Sequence, residues 1–221
     1  MCARYTIDAD PVRVADLFQL VELPGLEPRW NVAPSQLVPV VGAKPDGRRG
    51  LSFFKWGFVP HWEADPRAGY RPVNAKAETV ATSPMWRDAF RRKRCLLVAS
   101  GFYEWRTEGK KKLPIHHRLK DGEPFAFAGV WDVWKGEGRP PLVTCAIITV
   151  PANPLVKPFH DRMPAILAPD QYAGWLEHDA PPAALLAMLA PFPAELMEAV
   201  KLTPTANSVR NDGPECLTPA A

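Results

Sequence analysis

Residues 95–106 read CLLVASGFYEWR and place two strand signals end to end. Further strand signals follow closely at 115–119, 125–131 and 142–150, and two precede them at 37–41 and 51–56. Turns such as Glu108-Gly109 and Asp121-Gly122 separate some of these segments. Many short strands without a regular alternation of strand and helix are typical of an antiparallel sheet.

Helical signals are fewer. Asp10-Pro11 predicts a helix start, with Val14, Leu17, Phe18 and Val21 on one face and an end at Pro24-Gly25. Ser83-Pro84 predicts a second helix, whose basic end at 91–94 is interpreted as a solvated helix end rather than a binding patch. Segments 170–177 and 182–189 are further candidates. The chain is therefore predicted to be α+β, one domain over 1–221 with an antiparallel, partly barrel-like sheet, few flanking helices and an irregular tail from about residue 205.

The composition is that of a globular protein. The chain has 221 residues, 47% of them hydrophobic, and 27 basic against 24 acidic side chains give a net charge of +3. A polyanion would therefore need a local concentration of positive charge. The 26 prolines indicate many turns and short elements rather than disorder.

Several classes of protein are not indicated. No run approaches the roughly 18 apolar residues of a membrane span, and the start of the chain lacks a signal-peptide pattern. The cysteines at positions 2, 95, 145 and 216 have no CxxC spacing, and the five histidines complete no zinc pattern. We expect a cytoplasmic protein without metal or cofactor, in which Cys95 and Cys145 are buried structural residues.

The chain begins Met1-Cys2-Ala3-Arg4-Tyr5. Because Cys is small, we expect Met1 to be removed, which exposes a 1,2-aminothiol with ordinary pKa values of about 8 for the amine and about 8.5 for the thiol. Such a group closes a thiazolidine ring with an aldehyde. From these residues alone, a small apolar residue that starts a strand is the favoured interpretation of Cys2.

Glu104 lies in an aromatic strand. Phe102 and Glu104 share one face of this strand, and Tyr103 and Trp105 share the other. An ionised carboxylate is costly to bury among aromatic rings, so its pKa should rise if it is desolvated, as suits a general acid or base. An edge-strand glutamate that reaches water fits the pattern equally well.

Two polar segments carry further candidates. His160 has the side chain best suited to proton transfer near neutral pH, and Arg162 suits a bidentate grip on phosphate. A surface loop with a local ion pair is the favoured interpretation of both residues when they are taken alone. Asn74, with Lys76 two residues on, is either a turn former or an orienting group for a nucleophile. Tryptophans beside these cations would form a platform for single-stranded DNA only if the fold gathers them.

Six short motifs occur in order along the chain: MCAR at 1–4, WNVAP at 30–34, WGFVP at 56–60, NAKAET at 74–79, GFYEW at 101–105 and HDRMP at 160–164. In this order, and with NSVRND at 207–212, they resemble the SOS-response-associated peptidase (SRAP) domain family over nearly the whole chain. The resemblance implies a protein that senses abasic sites in single-stranded DNA and links to them covalently through its N-terminal cysteine. It implies no metal and no nucleotide cofactor.

Carried over position by position, the resemblance implies that Cys2 is the nucleophile and that Asn74, Glu104 and His160 are its catalytic partners. It implies phosphate contacts by Arg4, Lys76 and Arg162, a base-stacking surface from Trp105 and the 56–62 loop with Trp62, and polar contacts from Asn31 and Thr149. The chain departs from the family at Ala3, where Gly is usual, and at Lys76, where Arg is common. Neither departure touches the reacting groups.

The implied reaction joins the Cys2 amine to C1′ of the ring-opened sugar and then closes the thiazolidine through sulfur. The peptidase name implies self-processing that exposes Cys2, which here means loss of Met1. The implied partner is single-stranded DNA containing an abasic site. We expect the protein itself to be a monomer. Three alternatives stay open: an N-terminal-nucleophile amidohydrolase or peptidase, a non-covalent single-stranded nucleic-acid-binding module, and a structural domain with an inert Cys2.

Overall fold

The computed structural model describes residues 3–44, 46–66 and 71–220. Its strands are β1 (Tyr5–Ile7), β2 (Arg29–Val32), β3 (Leu37–Ala43), β4 (Arg49–Trp56), β5 (Asn74–Lys76), β6 (Arg94–Ala99), β7 (Gly101–Glu108), β8 (Lys111–Leu119), β9 (Phe125–Trp134), β10 (Leu142–Pro151), β11 (Arg162–Pro164), β12 (Ile166–Leu167) and β13 (Met197–Lys201). Its helices are α1 (Pro11–Phe18), α2 (Ala77–Val80), α3 (Arg87–Arg92), α4 (Tyr172–Leu176) and α5 (Pro182–Ala187).

The strands form two sheets. One has the order β13-β8-β7-β1-β2, and all its pairs are antiparallel. The other has eight strands, in which β3, β6, β9, β10 and β4 pair in turn. Parallel pairs at Lys55–Thr144 and Trp56–Cys145 join β4 to β10 and close these five strands into a ring. The predicted α+β class with an antiparallel, partly barrel-like sheet is confirmed.

The ring is filled by the apolar runs that were visible in the sequence. Strand β6 is buried along its whole length, and β9 and β10 are buried over most of theirs. Cys95 and Cys145 lie in these strands without any exposed surface. Burial raises the pKa of both thiols well above its ordinary value, which suits the predicted structural role.

The helices depart from their predicted bounds. Helix α1 starts as expected, with the Asp10 carboxylate accepting from the Val12 amide at 2.7 Å. The helix ends at Phe18 because Gln19 adopts a left-handed conformation (φ 53°). Val21 therefore lies outside the helix and is half exposed, so its predicted place on the buried helix face was wrong. The helix predicted from Ser83-Pro84 begins only at Arg87, after a turn.

The basic run at 91–94 is not uniformly solvated, which corrects its interpretation. Arg94 is almost fully buried, and its guanidinium donates to the carbonyls of Trp175 and Phe90 at 2.8 Å each. It also bonds the carbonyl of Glu177. The ends of α3 and α4 leave these carbonyls without helical partners, so a buried guanidinium satisfies them.

Candidate active site

Glu104 is buried in the middle of β7. Its side chain is on the face of Phe102, which packs in the main core, whereas Tyr103 packs in a smaller cluster with Trp105. The alternation expected from the sequence is therefore present. Glu104 is only 4% exposed, and this burial raises its pKa to about 7. A carboxyl group with this pKa can donate or accept a proton at neutral pH.

Strand β1 runs antiparallel beside β7 and leads back to the start of the chain. Tyr5 is paired with Phe102, and the Tyr103 amide donates to the Arg4 carbonyl at 3.0 Å. Continuing this register brings Ala3 to the level of Glu104. The predicted nucleophile Cys2 lies outside the described residues, and one peptide bond joins it to Ala3.

The remaining predicted residues come from strands β5, β10 and β11. Strand β5 lies parallel to β10, with Asn74 opposite Ile147 and Lys76 opposite Thr149. On the other side of β10, Thr149 pairs with Pro164. The Thr149 side chain is buried and donates to the Ala75 carbonyl at 3.2 Å, whereas Lys76 is exposed. The fold therefore brings Asn74 and Lys76 next to Thr149, although Asn74 and Thr149 are separated by 75 positions in the sequence (149 − 74).

Arg162 in β11 is held by a residue that the sequence did not single out. Its two terminal nitrogens bond both carboxylate oxygens of Glu78, one of them at 2.9 Å. It also donates to the Thr149 carbonyl. The Arg162 contact lowers the pKa of Glu78, so the pair is ionised at neutral pH. A phosphate at this position would meet a guanidinium that is already oriented but partly neutralised.

His160 has one tautomer favoured by its surroundings. The Arg162 amide donates to its Nδ1 at 2.8 Å, so the neutral ring carries its proton on Nε2. Desolvation lowers the pKa of His160, which favours this neutral form. The ring therefore has an N–H group that can donate to a substrate oxygen.

A stack of rings connects the His160 loop to the Glu104 strand. Phe159 meets His117 edge-on at 5.5 Å between centroids, and His117 stacks on Phe102 at 5.0 Å. Phe102 is two residues from Glu104 on the same face of β7. Loop and strand are therefore held together by packing between two sheets.

Arg4 and Asn31 anchor the C-terminal tail beside this site. The Arg4 guanidinium donates to the Asn31 side-chain oxygen at 2.7 Å and lies 5.6 Å from the ring of Trp105. The Asn31 amide in turn donates to the carbonyls of Ser208 and Asn211. Asn31 is fully buried, so its visible role is to hold the tail; the DNA contacts of Arg4, Asn31 and Trp105 stay predictions.

A family model described as SOS response associated peptidase (SRAP) matches residues 1–209. The chain belongs to the SRAP family. The resemblance stated from its motifs is thereby confirmed, whereas the roles of the individual motif residues stay predictions.

Relatives with curated names support the same family. The chain is 37% identical to the "Abasic site processing protein YoaM" of Bacillus subtilis, over 98% of this chain and 97% of that protein. It is 32% identical to the "Abasic site processing protein HMCES" of Gallus gallus, over 87% of this chain and 66% of that protein. A crystal structure of a protein from Bacteroides thetaiotaomicron is similar to this chain, with a TM-score of 0.88 at 26% identity over 100% of both chains.

The structure also explains a glycine in one SRAP motif. A Cβ on Gly101 would lie 2.2 Å from His116 Nε2, the atom that lies 3.1 Å from the Thr6 hydroxyl. Gly101 thus allows His116 to tie β8 to β1 across β7. The sequence did not single out His116 or Glu78, because their partners Thr6 and Arg162 are distant in the chain. The available signals were that His116 lies in a predicted strand and that Glu78 belongs to the NAKAET motif.

The WGFVP motif is mostly structural. Trp56 and Phe58 are buried, and Trp56 donates to the Val73 carbonyl at 2.9 Å. Trp62 is 54% exposed, next to His61, whose amide is bound to Asp132. Asp132 pairs with Thr144 of β10. Thr144 and Thr149 are five residues apart, so the anchor of the Trp62 loop lies about 17 Å along the strand from Thr149. The stacking role of Trp62 stays a prediction.

The described residues contain neither a cluster suited to a metal ion nor a helix that could span a membrane. Within residues 3–44, 46–66 and 71–220, no group of three or more His, Cys, Asp or Glu side chains is arranged to hold a metal ion. In the same residues, the helices are too short or too polar to cross a bilayer.

Proposed function

We propose that this chain recognises abasic sites in single-stranded DNA and links to them covalently through Cys2. The observation that carries the proposal is the register of β1 and β7, which brings the described start of the chain to a buried carboxyl group with a pKa of about 7. The names of the SRAP relatives point to the same lesion.

The first step opens the sugar. An abasic deoxyribose is in equilibrium with its ring-opened aldehyde, and opening requires a proton at the ring oxygen. In the proposal, the Nε2–H of His160 donates a hydrogen bond to this oxygen, because Nδ1 is occupied by the Arg162 amide. The proton that the ring oxygen gains is balanced by the one that the C1′ hydroxyl loses, and solvent carries it between them. In the same proposal, Asn74 of β5 orients the Cys2 terminus.

The second step forms two bonds. The Cys2 amine adds to C1′, and the carbinolamine loses water to give an imine. The Cys2 thiol then adds to the imine carbon, and its proton moves to nitrogen, so that aldehyde and aminothiol become thiazolidine and water. Glu104 donates a proton to the departing hydroxyl and takes one from the thiol, since its pKa of about 7 allows both.

The exposed Lys76 and the oriented Arg162 hold phosphates, with Arg4, Trp105, Trp62, Asn31 and Thr149 shaping the rest of the groove. An unpaired strand reaches the site without the few kcal/mol needed to unstack a duplex. Phosphate contacts make the initial capture sensitive to salt. In the proposal the protein acts as a monomer in the cytoplasm, and its peptidase activity is the self-processing that exposes Cys2.

The test is a denaturing gel after incubation with a single-stranded oligonucleotide that carries one abasic site. We expect a band shifted by the protein mass, absent with intact DNA and absent with Cys2→Ala. Borohydride should restore a band for Cys2→Ala, because its terminal amine still forms an imine. Buried Cys145 supplies the matched control, since Cys145→Ala should cross-link normally.

Other outcomes point to the alternatives. Hydrolysis of an amide substrate without any adduct would indicate an N-terminal-nucleophile hydrolase. Binding that is unchanged in Cys2→Ala, again without adduct, would indicate a non-covalent module. A mass spectrum that shows retained Met1 in active protein would contradict the role of a free Cys2 amine.

A further inference from the structure

A cavity of about 1090 Å³ opens at the end of the barrel remote from Glu104 and Arg162. Val40 and Gly42 of β3, Ser52 and Phe54 of β4, and Trp131 of β9 line it. Strand β4 runs parallel to β10 and is paired at Trp56–Cys145, so Gly50 and Thr149 lie at opposite ends of the ring. At about 3.3 Å per residue they are roughly 30 Å apart.

Two aromatic side chains, those of Phe54 and Trp131, lie next to each other in the cavity lining. The rings of Phe54 and Trp131 are 5.3 Å apart with an interplanar angle of 39°, and both residues are only partly buried. Strand β4 pairs with β10 only at Lys55 and Trp56. The earlier part of β4 is therefore separated from β10, and the side chains of Phe54 and Trp131 line the cavity at this gap. A flat aromatic ligand can pack on such a surface.

The cavity is also strongly cationic. Five of its lining residues are Lys or Arg, and Glu177 is the sole carboxylate among them in the described part of the chain. Arg94 is engaged by carbonyl groups, and Arg48 pairs with Asp46. Lys44 and Arg92 are exposed, and no carboxylate of the described residues lies within ion-pair distance of either. This concentration contrasts with a net charge of only +3 for the whole chain.

A cross-strand glycine pair keeps the cavity open. Gly42 of β3 is opposite Gly50 of β4. A Cβ on Gly42 would meet nothing within 4 Å, whereas the Lys44 side chain lies over Gly50. Gly42 is two residues from Val40 and faces the same side of the strand, so a side chain there would project into the cavity.

We propose that this barrel-mouth cavity binds a nucleotide, with the base on Phe54 and Trp131 and the phosphate between Lys44, Arg49 and Arg92. The mouth of a β-barrel is a favoured place for such a site, and the volume is ample for one nucleotide. The nucleotide is either free in solution or the phosphorylated end of a DNA strand. The proposal does not rest on the cross-linking function proposed above.

The experiment is isothermal titration calorimetry of the full chain at low salt. The probes are dAMP, deoxyadenosine, inorganic phosphate and a 5′-phosphorylated thymidine trinucleotide. We expect saturable binding of dAMP, with deoxyadenosine and phosphate each at least about tenfold weaker, because each retains only one of the two contacts. Equal binding of the trinucleotide identifies a strand end; binding of dAMP without the trinucleotide identifies a free nucleotide.

Two substitutions locate the site. Gly42→Val adds a side chain whose Cβ would meet no atom within 4 Å and which would occupy part of the cavity. Arg92→Gln removes a charge at the cavity rim. Each substitution should weaken dAMP binding about tenfold. Arg87→Gln on the same helix, outside the cavity lining, should leave binding unchanged. All three variants should cross-link abasic DNA like the unmodified protein. Absence of saturable nucleotide binding, or binding that survives both cavity substitutions, would overturn the proposal.

Discussion

Glu104 in β7 and Asp132 in β9 are two carboxylates with the same burial and opposite chemistry. They are 4% and 3% exposed. Burial raises the pKa of Glu104 to about 7. Burial acts in the same direction on Asp132, but hydrogen bonds from Lys93, His61 and two backbone amides outweigh it and hold the pKa below its ordinary value.

The difference lies in what each strand brings next to the carboxylate. Asp132 lies at the barrel rim, where the Lys93 ammonium, the His61 ring at 2.9 Å and the Val133 amide at 2.8 Å converge on it. Glu104 pairs with Ile115 of β8, and desolvation is the main influence on its pKa. A buried carboxylate whose pKa is held low by several donors is a structural anchor, whereas one whose pKa is raised by desolvation can exchange a proton near neutral pH.

The largest expected effect is on the rate of adduct formation in Glu104→Gln. The amide keeps the shape of the carboxyl group but cannot transfer a proton, so cross-linking should slow by about 10²- to 10⁴-fold. Time courses on denaturing gels measure it, and binding of intact single-stranded DNA is the control. A wild-type rate in this variant would remove Glu104 from the mechanism and leave it a merely tolerated buried acid.

The Asp132 half of the comparison is tested by stability. Asp132→Ala leaves the His61 and Val133 amides without their acceptor, and Lys93 and His61 without their shared carboxylate. Because both side-chain partners are partly exposed, the free energy of unfolding should fall by about 2 kcal/mol. Urea denaturation measures this change. Glu198→Ala, which breaks the exposed pair with Arg118, should cost less than about 1 kcal/mol. The cross-linking rate per folded molecule should be unchanged in both variants. A loss for Asp132→Ala no larger than that for Glu198→Ala would show that the buried Asp132 carboxylate is not a structural anchor.

The pH dependence of stability separates the two carboxylates by sign. The pKa of Glu104 is higher in the folded state, so its favourable contribution is complete below about pH 4.5 and is lost as pH rises towards 7. The stability of the unmodified protein relative to Glu104→Gln should therefore fall by about 3 kcal/mol over this window. Asp132 has the opposite sign, because its lowered pKa stabilises the fold above about pH 4.

The depressed pKa values of His116 and His117, about 3 and about 4, also destabilise the fold as pH falls below the ordinary histidine value. They are present in both proteins and cancel in the difference. Urea titrations of the two proteins from pH 4.5 to 8 provide the measurement. A flat difference would show that Glu104 is ionised at the same pH in the folded and unfolded chains.

The same comparison shows what could be predicted from sequence. Strands such as β6 and β10 are long apolar runs, and their local pattern is enough to locate them within a few residues. The ring was not predictable in detail, because the parallel pairing of Trp56 with Cys145 joins segments 89 positions apart (56 against 145). No local pattern encodes such a pairing.

The site was predictable in its parts and not in its contacts. The aromatic neighbours of Glu104 in GFYEW indicated a raised pKa if the strand were buried, and the structure buries it. Burial itself depends on β8 and on the Phe159–His117–Phe102 stack, which only the fold assembles. In the same way, Arg162 was a candidate phosphate ligand, but its bidentate partner Glu78 lies 84 residues away.

The smallest effect concerns this third carboxylate. Glu78 is half exposed, so the loss of its pair with Arg162 in Glu78→Gln should change stability by less than about 1 kcal/mol. Single-stranded DNA should bind about threefold tighter at low salt, because one negative charge leaves a groove that contacts phosphates. Glu123→Gln removes the same charge from an exposed pair with Arg13, next to α1, and should leave DNA binding unchanged. Fluorescence anisotropy at two salt concentrations distinguishes the cases. Weaker binding in Glu78→Gln would mean that Glu78 contributes by orienting the guanidinium, and that even a half-exposed carboxylate of this site is positioned for function.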